Sequence, residues 1–364
     1  MSVEPLRIAL VGVGNCAAAF LAGLERYRES PESDEGLMHR EIGGWRCGDL
    51  RIVAAFDVDH RKVGQKLGTA AVAEPNCVAL PPTPGAWHDV TVDMGPILDG
   101  VGAHMSEHFE QKAFQIATDC KAADVAQTIL ATKADVLINY LPVGADKAAA
   151  HYAEACIATK CAFVNCTPTF IASDRTFASR FEQAHVPIVG DDIKSQVGAT
   201  ILHRTLARLM EDRGAILERS YQLNVGGNAD FLNMLDRTRL KSKKISKTNS
   251  VQSVLRKPLA GDQLHVGPSD FVPWLGDTKI AFIRLEGRGF AGAPIAIDVR
   301  LEVEDSPNSA GVVVDAVRCA GLARSRGLGG PINAACAFLM KSPPGQMADD
   351  DARRLLDAFI RSVG

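Results

Sequence analysis

Residues 6–19 read LRIALVGVGNCAAA: an apolar, β-branched run, a glycine-rich turn, then a string of helix formers. That order predicts strand, tight turn and helix, which is how a dinucleotide-binding crossover begins. Gly12 permits the turn and Gly14 lets the backbone approach a pyrophosphate. Ala17, in place of a third glycine, still allows close helix-to-strand packing. The helix N-terminus at Asn15 and Cys16 then offers free amide hydrogens and the positive end of a dipole to that pyrophosphate. Glycine turns also join strands to helices where nothing binds, so the next strand has to carry part of the argument.

Residues 51–59, RIVAAFDVD, read as a buried parallel strand that ends in Asp57. A carboxylate at that place accepts both ribose hydroxyls of an adenosine and repels a 2′-phosphate, so NAD is expected over NADP. The distance from glycine loop to acid is about twice the usual ~20 residues. A polar insertion at residues 28–49, rich in Glu, Gly and Ser, accounts for the excess and is expected to extend the first crossover at the surface. His60, Arg61 and Lys62 resemble a clamp for a 2′-phosphate, but are read as the solvated first turn of the following helix.

The βαβ rhythm continues. After a Pro-rich loop at residues 81–85, a helix is expected over 124–133 with Asp124 as N-cap, then a buried strand over 134–141 closed by Pro142 and Gly144. Helix 146–159, strand 162–165, helix 174–184 and strand 187–189 follow, which argues for a doubly wound parallel sheet of the Rossmann type. Ligands gather at the carboxyl ends of such strands. Those ends carry Asn139, Leu141, Pro142, Thr169, Gly190, Asp192 and Lys194, read as cofactor-side positions.

Beyond a helix at 199–212 the texture changes. Strands are expected at 219–224, 279–286 and 294–304, the last with clear alternation, which reads as a largely antiparallel sheet with one face covered. The fold class is therefore α/β, with a second α+β domain. The expected division is residues 1–200 for NAD binding, 201–308 for catalysis and oligomerisation, and 309–364 as a helical segment packing back on the first domain.

Composition narrows the partners. The 364 residues are 46% hydrophobic and 23% charged, with a formal net charge of −3, so no global field points to nucleic acid or a membrane surface. Neither a signal peptide nor an apolar stretch of roughly 20 residues is read. Nine cysteines without metal-finger spacing fit reduced thiols in a cytoplasm, and Cys166 is read as structural rather than reactive.

Residues 239–249, RLKSKKISKTN, are the densest cationic run. Such a run is commonly a solvated helix face, but Lys243 and Lys247 lie four apart and share one face. An anionic ligand removes their mutual repulsion. The turn 225–228, which ends in Gly226-Gly227-Asn228, is expected to start this helix and present amides to a phosphate. A phosphorylated substrate is the economical inference.

GVGNCA, FDVD, INYLPVGA, VGDDIKSQVGAT, LNVGGNADFLNM, SKKISKT, GPSDFVPWLGDTK, EDSPNSAG and FLMKSPP occur in this order from about residue 8 to 345. Together they resemble the myo-inositol-1-phosphate synthase family, in the short form found in actinobacteria and archaea. The resemblance implies an NAD-dependent isomerisation of D-glucose 6-phosphate to 1D-myo-inositol 3-phosphate in a homotetramer: oxidation at C5, deprotonation at C6, intramolecular aldol closure of C6 on C1, and return of the hydride. It implies Lys279 and Lys341 at the C5 and C1 oxygens, with either able to shuttle a proton, and Lys243 and Lys247 at the phosphate and neighbouring oxygens. The substrate phosphate itself takes the C6 proton. Asp230 and Asn224 match substrate-side polar positions, and Asp305 and Ser306 lie near the nicotinamide. A divalent cation, Mg2+ or Zn2+, is expected near Asp305 and the phosphates, although no ligand set can be read from the sequence.

Each residue has a plainer use. Lys279 could guard a sheet edge, Lys341 could complement a helix C-terminus, and Asp305 could be an N-cap; the ordered set of motifs favours the functional roles. The histidines show no metal spacing and are read as structural or surface residues. The competing functions are an NAD-dependent sugar or polyol dehydrogenase that releases NADH, and a catalytically silent NAD-binding regulator.

Overall fold

The apolar run Leu6–Val11 forms β1 at the interior of a seven-stranded parallel sheet, and nearly every residue of it is buried because helices cover both faces. A computed structural model describes residues 4–79 and 89–362, except the side chains of residues 241–244, 247, 268 and 269. The Pro-rich loop expected at 81–85 lies outside the described residues.

The remaining strands are the hairpin β2 (Glu41–Ile42) and β3 (Trp45–Arg46), then β4 (Leu50–Asp57), β5 (Val92–Met94), β6 (Val136–Asn139), β7 (Ala162–Asn165), β8 (Pro187–Val189), β9 (Ile216–Gly226), β10 (Leu264–Phe271), β11 (Thr278–Arg288), β12 (Pro294–Glu304) and β13 (Gly330–Pro331). The helices are α1 (Asn15–Glu29), α2 (Leu67–Val72), α3 (Val125–Thr132), α4 (Asp146–Thr159), α5 (Arg175–Gln183), α6 (Ala199–Asp212), α7 (Ala229–Asn233), α8 (Lys241–Gln252), α9 (Asp305–Ser325), α10 (Asn333–Leu339) and α11 (Asp349–Arg361). The large sheet has the order β13-β8-β7-β6-β1-β4-β5. Because the chain leaves β1 for β4 on one side and reaches β6 on the other, a crevice opens at the carboxyl ends of β1 and β6.

The second sheet runs β10-β9-β11-β12. It is largely antiparallel, as expected, with one parallel pair, β10 on β9. α6 covers one face through Ala207 and Met210 against Ala281, Ile283 and Leu285. The other face leaves Tyr221, Leu223 and Phe282 exposed. α9 starts at the end of β12, packs on α1, β7 and β8, and so joins the sheets.

Three local expectations change. The 28–49 insertion is not a loose surface extension: Ile42 and Cys47 are buried, and the wholly buried Arg318 of α9 donates to the carbonyls of His39, Arg40 and Trp45 at 2.7, 3.0 and 3.2 Å. Asp315 pairs with both Arg318 and His39, and His39 also reaches Asp357 of α11 at 3.2 Å. The second change concerns residues 60–62, which form a turn instead of a helix start, because Asp57 and Asp59 accept the amides that follow each strand-end residue. Lys62 is not solvated; it is 2% exposed and donates to Val13 O (2.7 Å) and Asn76 Oδ1 (2.9 Å). Finally, the Gly-Gly-Asn turn starts the short α7, where Asn228 is the N-cap, and the lysine-rich α8 begins separately after a 3₁₀ turn at Arg237–Leu240.

Candidate active site

One cavity lies between the carboxyl ends of the parallel strands and the inner face of the second sheet. Its first wall is the glycine-rich turn. Gly12 has φ +85°, and a Cβ there would stand 2.9 Å from Tyr140 O, so only glycine fits without strain. Gly14 is the N-cap of α1 in extended backbone; no side chain caps the helix and no acid stands in its first turn. These amides suit an anion such as a pyrophosphate. Asp57 braces the turn, accepting from Val13 N at 2.7 Å through one oxygen and from Val58 N and Asp59 N at 2.7 and 2.9 Å through the other.

The opposite wall is built from side chains of distant segments. Lys279 of β11 donates to Asp305 Oδ1 at 3.0 Å, across the β11–β12 pairing that ends at Glu304. Lys341, just beyond α10, donates to Asp192 Oδ1 at 2.8 Å, while its backbone amide meets Asp192 O at 2.7 Å. The other oxygen of Asp192 accepts from Ser246 Oγ of α8 at 2.7 Å, so the lysine-rich helix is tied to the Lys341 segment. β11 is an interior strand, which removes the edge-guard alternative for Lys279, and the Lys341 ammonium is engaged by a carboxylate rather than by helix carbonyls.

Gly12, Gly14, Asn15, Cys16, Asp57, Leu141, Pro142, Asp192, Asn224, Asp230, Lys279, Asp305, Ser306 and Lys341 all line this cavity. Five others do not. Ala17 is buried in helix-to-sheet packing, as its size requires. Asn139 donates to Asn165 Oδ1 (2.9 Å) and accepts from Leu141 N (3.1 Å), shaping the loop from behind. Thr169 donates to Asp146 at 2.6 Å, and Gly190 backs onto Asn165 and Ala172. Lys194 points away, to Ala337 O and Asp349, both at 3.1 Å, and burial pushes its ammonium down to about 8. The side chains of Lys243 and Lys247 lie outside the described residues; their backbone belongs to α8.

Sequence reasoning missed several residues. Lys62 and Asn76 line the cavity beneath the glycine turn. Among the described residues, the Tyr140 hydroxyl and Asn224 Nδ2 are buried without a partner, and both residues face the cavity. Unpaired buried polar atoms are costly unless a ligand meets them. Burial pushes the Cys16 thiol up to about 12 and the Cys166 thiol well above its ordinary value, so both are held protonated and neither is a nucleophile. Among the described residues no three His, Cys, Asp or Glu side chains are grouped to hold a metal ion, and no helix is long and apolar enough to cross a membrane.

The family model for myo-inositol-1-phosphate synthase matches residues 198–306. The inositol-3-phosphate synthase of Mycolicibacterium smegmatis is 52% identical over 98% of both chains, and that of Corynebacterium glutamicum 50% over 99% of both. The chain belongs to the inositol-phosphate synthase family. It is accordingly an enzyme, and the synthase reading stands over that of an ordinary dehydrogenase. Among solved structures, Ari2 superposes with a TM-score of 0.77 at 35% identity over 99% of this chain and all of that one. A synthase-related protein from Thermotoga maritima shares the fold with a TM-score of 0.79 at 24% identity, over 98% of each chain.

Proposed function

We propose that this member of the family isomerises D-glucose 6-phosphate to 1D-myo-inositol 3-phosphate, with NAD in the crevice above Gly12, Gly14 and the open N-terminus of α1. The observation that carries the reading is the convergence of two carboxylate-held ammonium groups, Lys279 and Lys341, on the cavity that the glycine turn also lines. Gly12, Gly14, Asn15 and Asp57 suit the adenosine and pyrophosphate, and Ser306 and Asp305 suit the nicotinamide end. When bound there, NAD supplies the acceptor, and later the donor, of one hydride.

The chain's own residues do the rest. Lys279 and Lys341 stabilise negative charge as it develops on the C5 and C1 oxygens, and a preorganised ammonium in a water-poor site is strongly effective at this. Asp305 and Asp192 fix their directions. As the aldol bond closes, the C5 oxygen returns to a carbonyl, and the C1 oxygen takes a proton from whichever of the two lysines holds it. Lys243 and Lys247 take the phosphate, which itself receives the C6 proton, and Asn224 and Asp230 orient the hydroxyls.

The exposed apolar centre of the second sheet, Tyr221, Leu223 and Phe282, is the proposed subunit contact in a homotetramer, because an open sheet face calls for a cover. The deciding experiment incubates enzyme, NAD+ and glucose 6-phosphate, and measures inositol phosphate against absorbance at the NADH band. Product without stoichiometric NADH is expected. NADH that accumulates without inositol phosphate would instead make the enzyme a dehydrogenase.

A further inference from the structure

Behind the Lys279–Asp305 pair stands a carboxylate that the scheme above leaves without a role. Asp277 is 2% exposed and is not among the residues lining the cavity. Its Oδ1 accepts from Asn228 Nδ2 at 2.9 Å and Ser306 Oγ at 2.8 Å, and its Oδ2 accepts from Ser306 N at 3.0 Å. Its own carbonyl accepts from Asp305 N at 3.0 Å.

The contacts lead to two stretches of the proposed machinery, one carrying Asp230 and one carrying Asp305. Asn228 caps α7, and its Oδ1 accepts from Asp230 N at 3.1 Å and Phe231 N at 3.3 Å, so the turn that delivers Asp230 leans on Asp277. Ser306 and the Asp305 amide belong to the first turn of α9, so the direction of Asp305 is set from the same point. Lys279 follows two residues along the chain in β11 and reaches Asp305 at 3.0 Å. Two segments far apart in sequence are thus pinned to one buried side chain, which itself stands two residues before Lys279.

We propose that Asp277 is a positioning residue for the cyclisation, holding the segments that carry Asp230, Lys279 and Asp305 in a single register. The proposal rests on the lysine roles given above. Its chemistry is specific to a carboxylate. Two of its partners, Asn228 Nδ2 and Ser306 N, are fixed donors, one on each oxygen, so an amide of the same size must turn its own NH2 toward one of them. Burial raises the acid to about 6, against the pull of the Asn228 and Ser306 donors, so at neutral pH the group is ionised and accepts at both oxygens. An arrangement this costly to bury is expected where it fixes something.

The test compares the full chain, Asp277→Asn, and the exchange Asn228→Asp with Asp277→Asn. In the exchanged pair the amide donates to the new carboxylate and still accepts from Ser306 N. Two readouts are taken at neutral pH. The first is labelling by pyridoxal 5′-phosphate and borohydride, resolved by peptide mass spectrometry into the ratio of Lys279 to Lys341. The second is kcat and KM for glucose 6-phosphate, alongside NAD+ binding and the melting temperature.

For Asp277→Asn we expect the labelling ratio to shift by about threefold or more, a modest coupling between neighbours. We also expect kcat to fall by about 100-fold, the scale of a ~1 Å misplacement, with KM and NAD+ binding held within about threefold. The exchange should recover most of both. An unchanged ratio in Asp277→Asn overturns the proposal, as does an exchange that recovers neither readout. If both variants fail to fold, Asp277 is a folding residue and the proposal is equally overturned. Should the wild-type enzyme make no inositol phosphate, the functional reading falls, but the labelling ratio still decides whether Asp277 positions Lys279.

Discussion

Where the parallel sheet meets the cavity the wall is mostly backbone: a left-handed glycine, a helix end without a side-chain cap, and amides braced by one aspartate. Where the second sheet meets it the wall is side chain, with ammonium groups from β11 and from the segment after α10 held by Asp305 and Asp192. The first wall can receive phosphates of any nucleotide by shape and dipole. The second, on the function proposed, is particular to oxygens that become negative at fixed places. The difference teaches that binding and chemistry are vulnerable to different kinds of change, and this can be tested by substitutions that strike one wall at a time.

The largest effect belongs to the second wall. Lys279→Ala should lower kcat by about 100- to 1,000-fold, the range for loss of one preorganised donor at a developing oxyanion. NAD+ affinity, measured by fluorescence quenching, should stay close to wild type because the Lys279 ammonium donates to Asp305 and not to the glycine turn. A variant that turns over glucose 6-phosphate normally would remove Lys279 from the chemistry. One that loses NAD+ binding instead would show that the two walls are not separable.

His203 exposes the pH dependence of the side-chain wall. It is fully buried in α6, its Nε2 lies 2.7 Å from Ser220 Oγ, and burial pushes it down to about 4. The unfolded chain binds a proton near 6.5 and the folded one only near 4, so stability contributed by neutral His203 is complete above pH 6.5 and is lost as pH falls toward 4. The shift corresponds to about 3 kcal/mol at the acid end. Asp191 and Asp277, both raised to about 6 by burial, work in the opposite sense over part of that range. A comparison of wild type with His203→Gln by urea unfolding at pH 7 and 4.5 cancels those terms. The wild type should lose about 2 kcal/mol more than the variant; equal losses would mean that His203 is not held neutral.

Gly12→Ala tests the backbone wall. The new Cβ would sit 2.9 Å from Tyr140 O at φ +85°, and strain of about 1–3 kcal/mol should appear as weaker NAD+ binding and a lower melting temperature. By titration calorimetry the affinity should fall about tenfold, with kcat at saturating NAD+ nearly unchanged. An unaltered affinity would show that the turn tolerates a side chain and that the cofactor sits elsewhere.

The same contrast explains which parts of the molecule are legible in its sequence. The glycine turn, the parallel sheet and the antiparallel strands announce themselves through local periodicity and turn chemistry, which are properties of neighbouring residues. Lys279 and Lys341 can be named only through the ordered motifs, since no spacing links residues 62 apart in sequence. Asp277 sits inside a motif whose lysine draws the attention; nothing local distinguishes a buried aspartate from a turn aspartate. Lys194 misleads because it follows a strand end, where the chain twists its side chain toward Asp349. Lys62 misleads for a related reason: three basic residues in a row look solvated, and only the fold supplies the buried acceptors Val13 O and Asn76 Oδ1.

Lys62 also gives the smallest expected effect and so sets the sharpest limit on the comparison. It is the one buried ammonium seen against the glycine turn among the described residues, and if side chains governed this wall as they do the other, its loss would be severe. Yet Val13 O accepts from two donors, Lys62 Nζ at 2.7 Å and Asn76 Nδ2 at 3.0 Å. Lys62→Met fills the same space, removes a desolvated charge, and leaves the second donor in place. Replacing a buried charge by an apolar group of similar volume is often close to neutral. Stability should therefore change by less than about 1 kcal/mol and NAD+ affinity by no more than about threefold. Asn76→Ala in the Lys62→Met background removes the second donor, leaves Val13 O unpaired, and should cost about 1–3 kcal/mol beyond the single change. If Lys62→Met alone weakens NAD+ binding by more than tenfold, a side chain governs the nucleotide wall as well, and the contrast between the two walls fails.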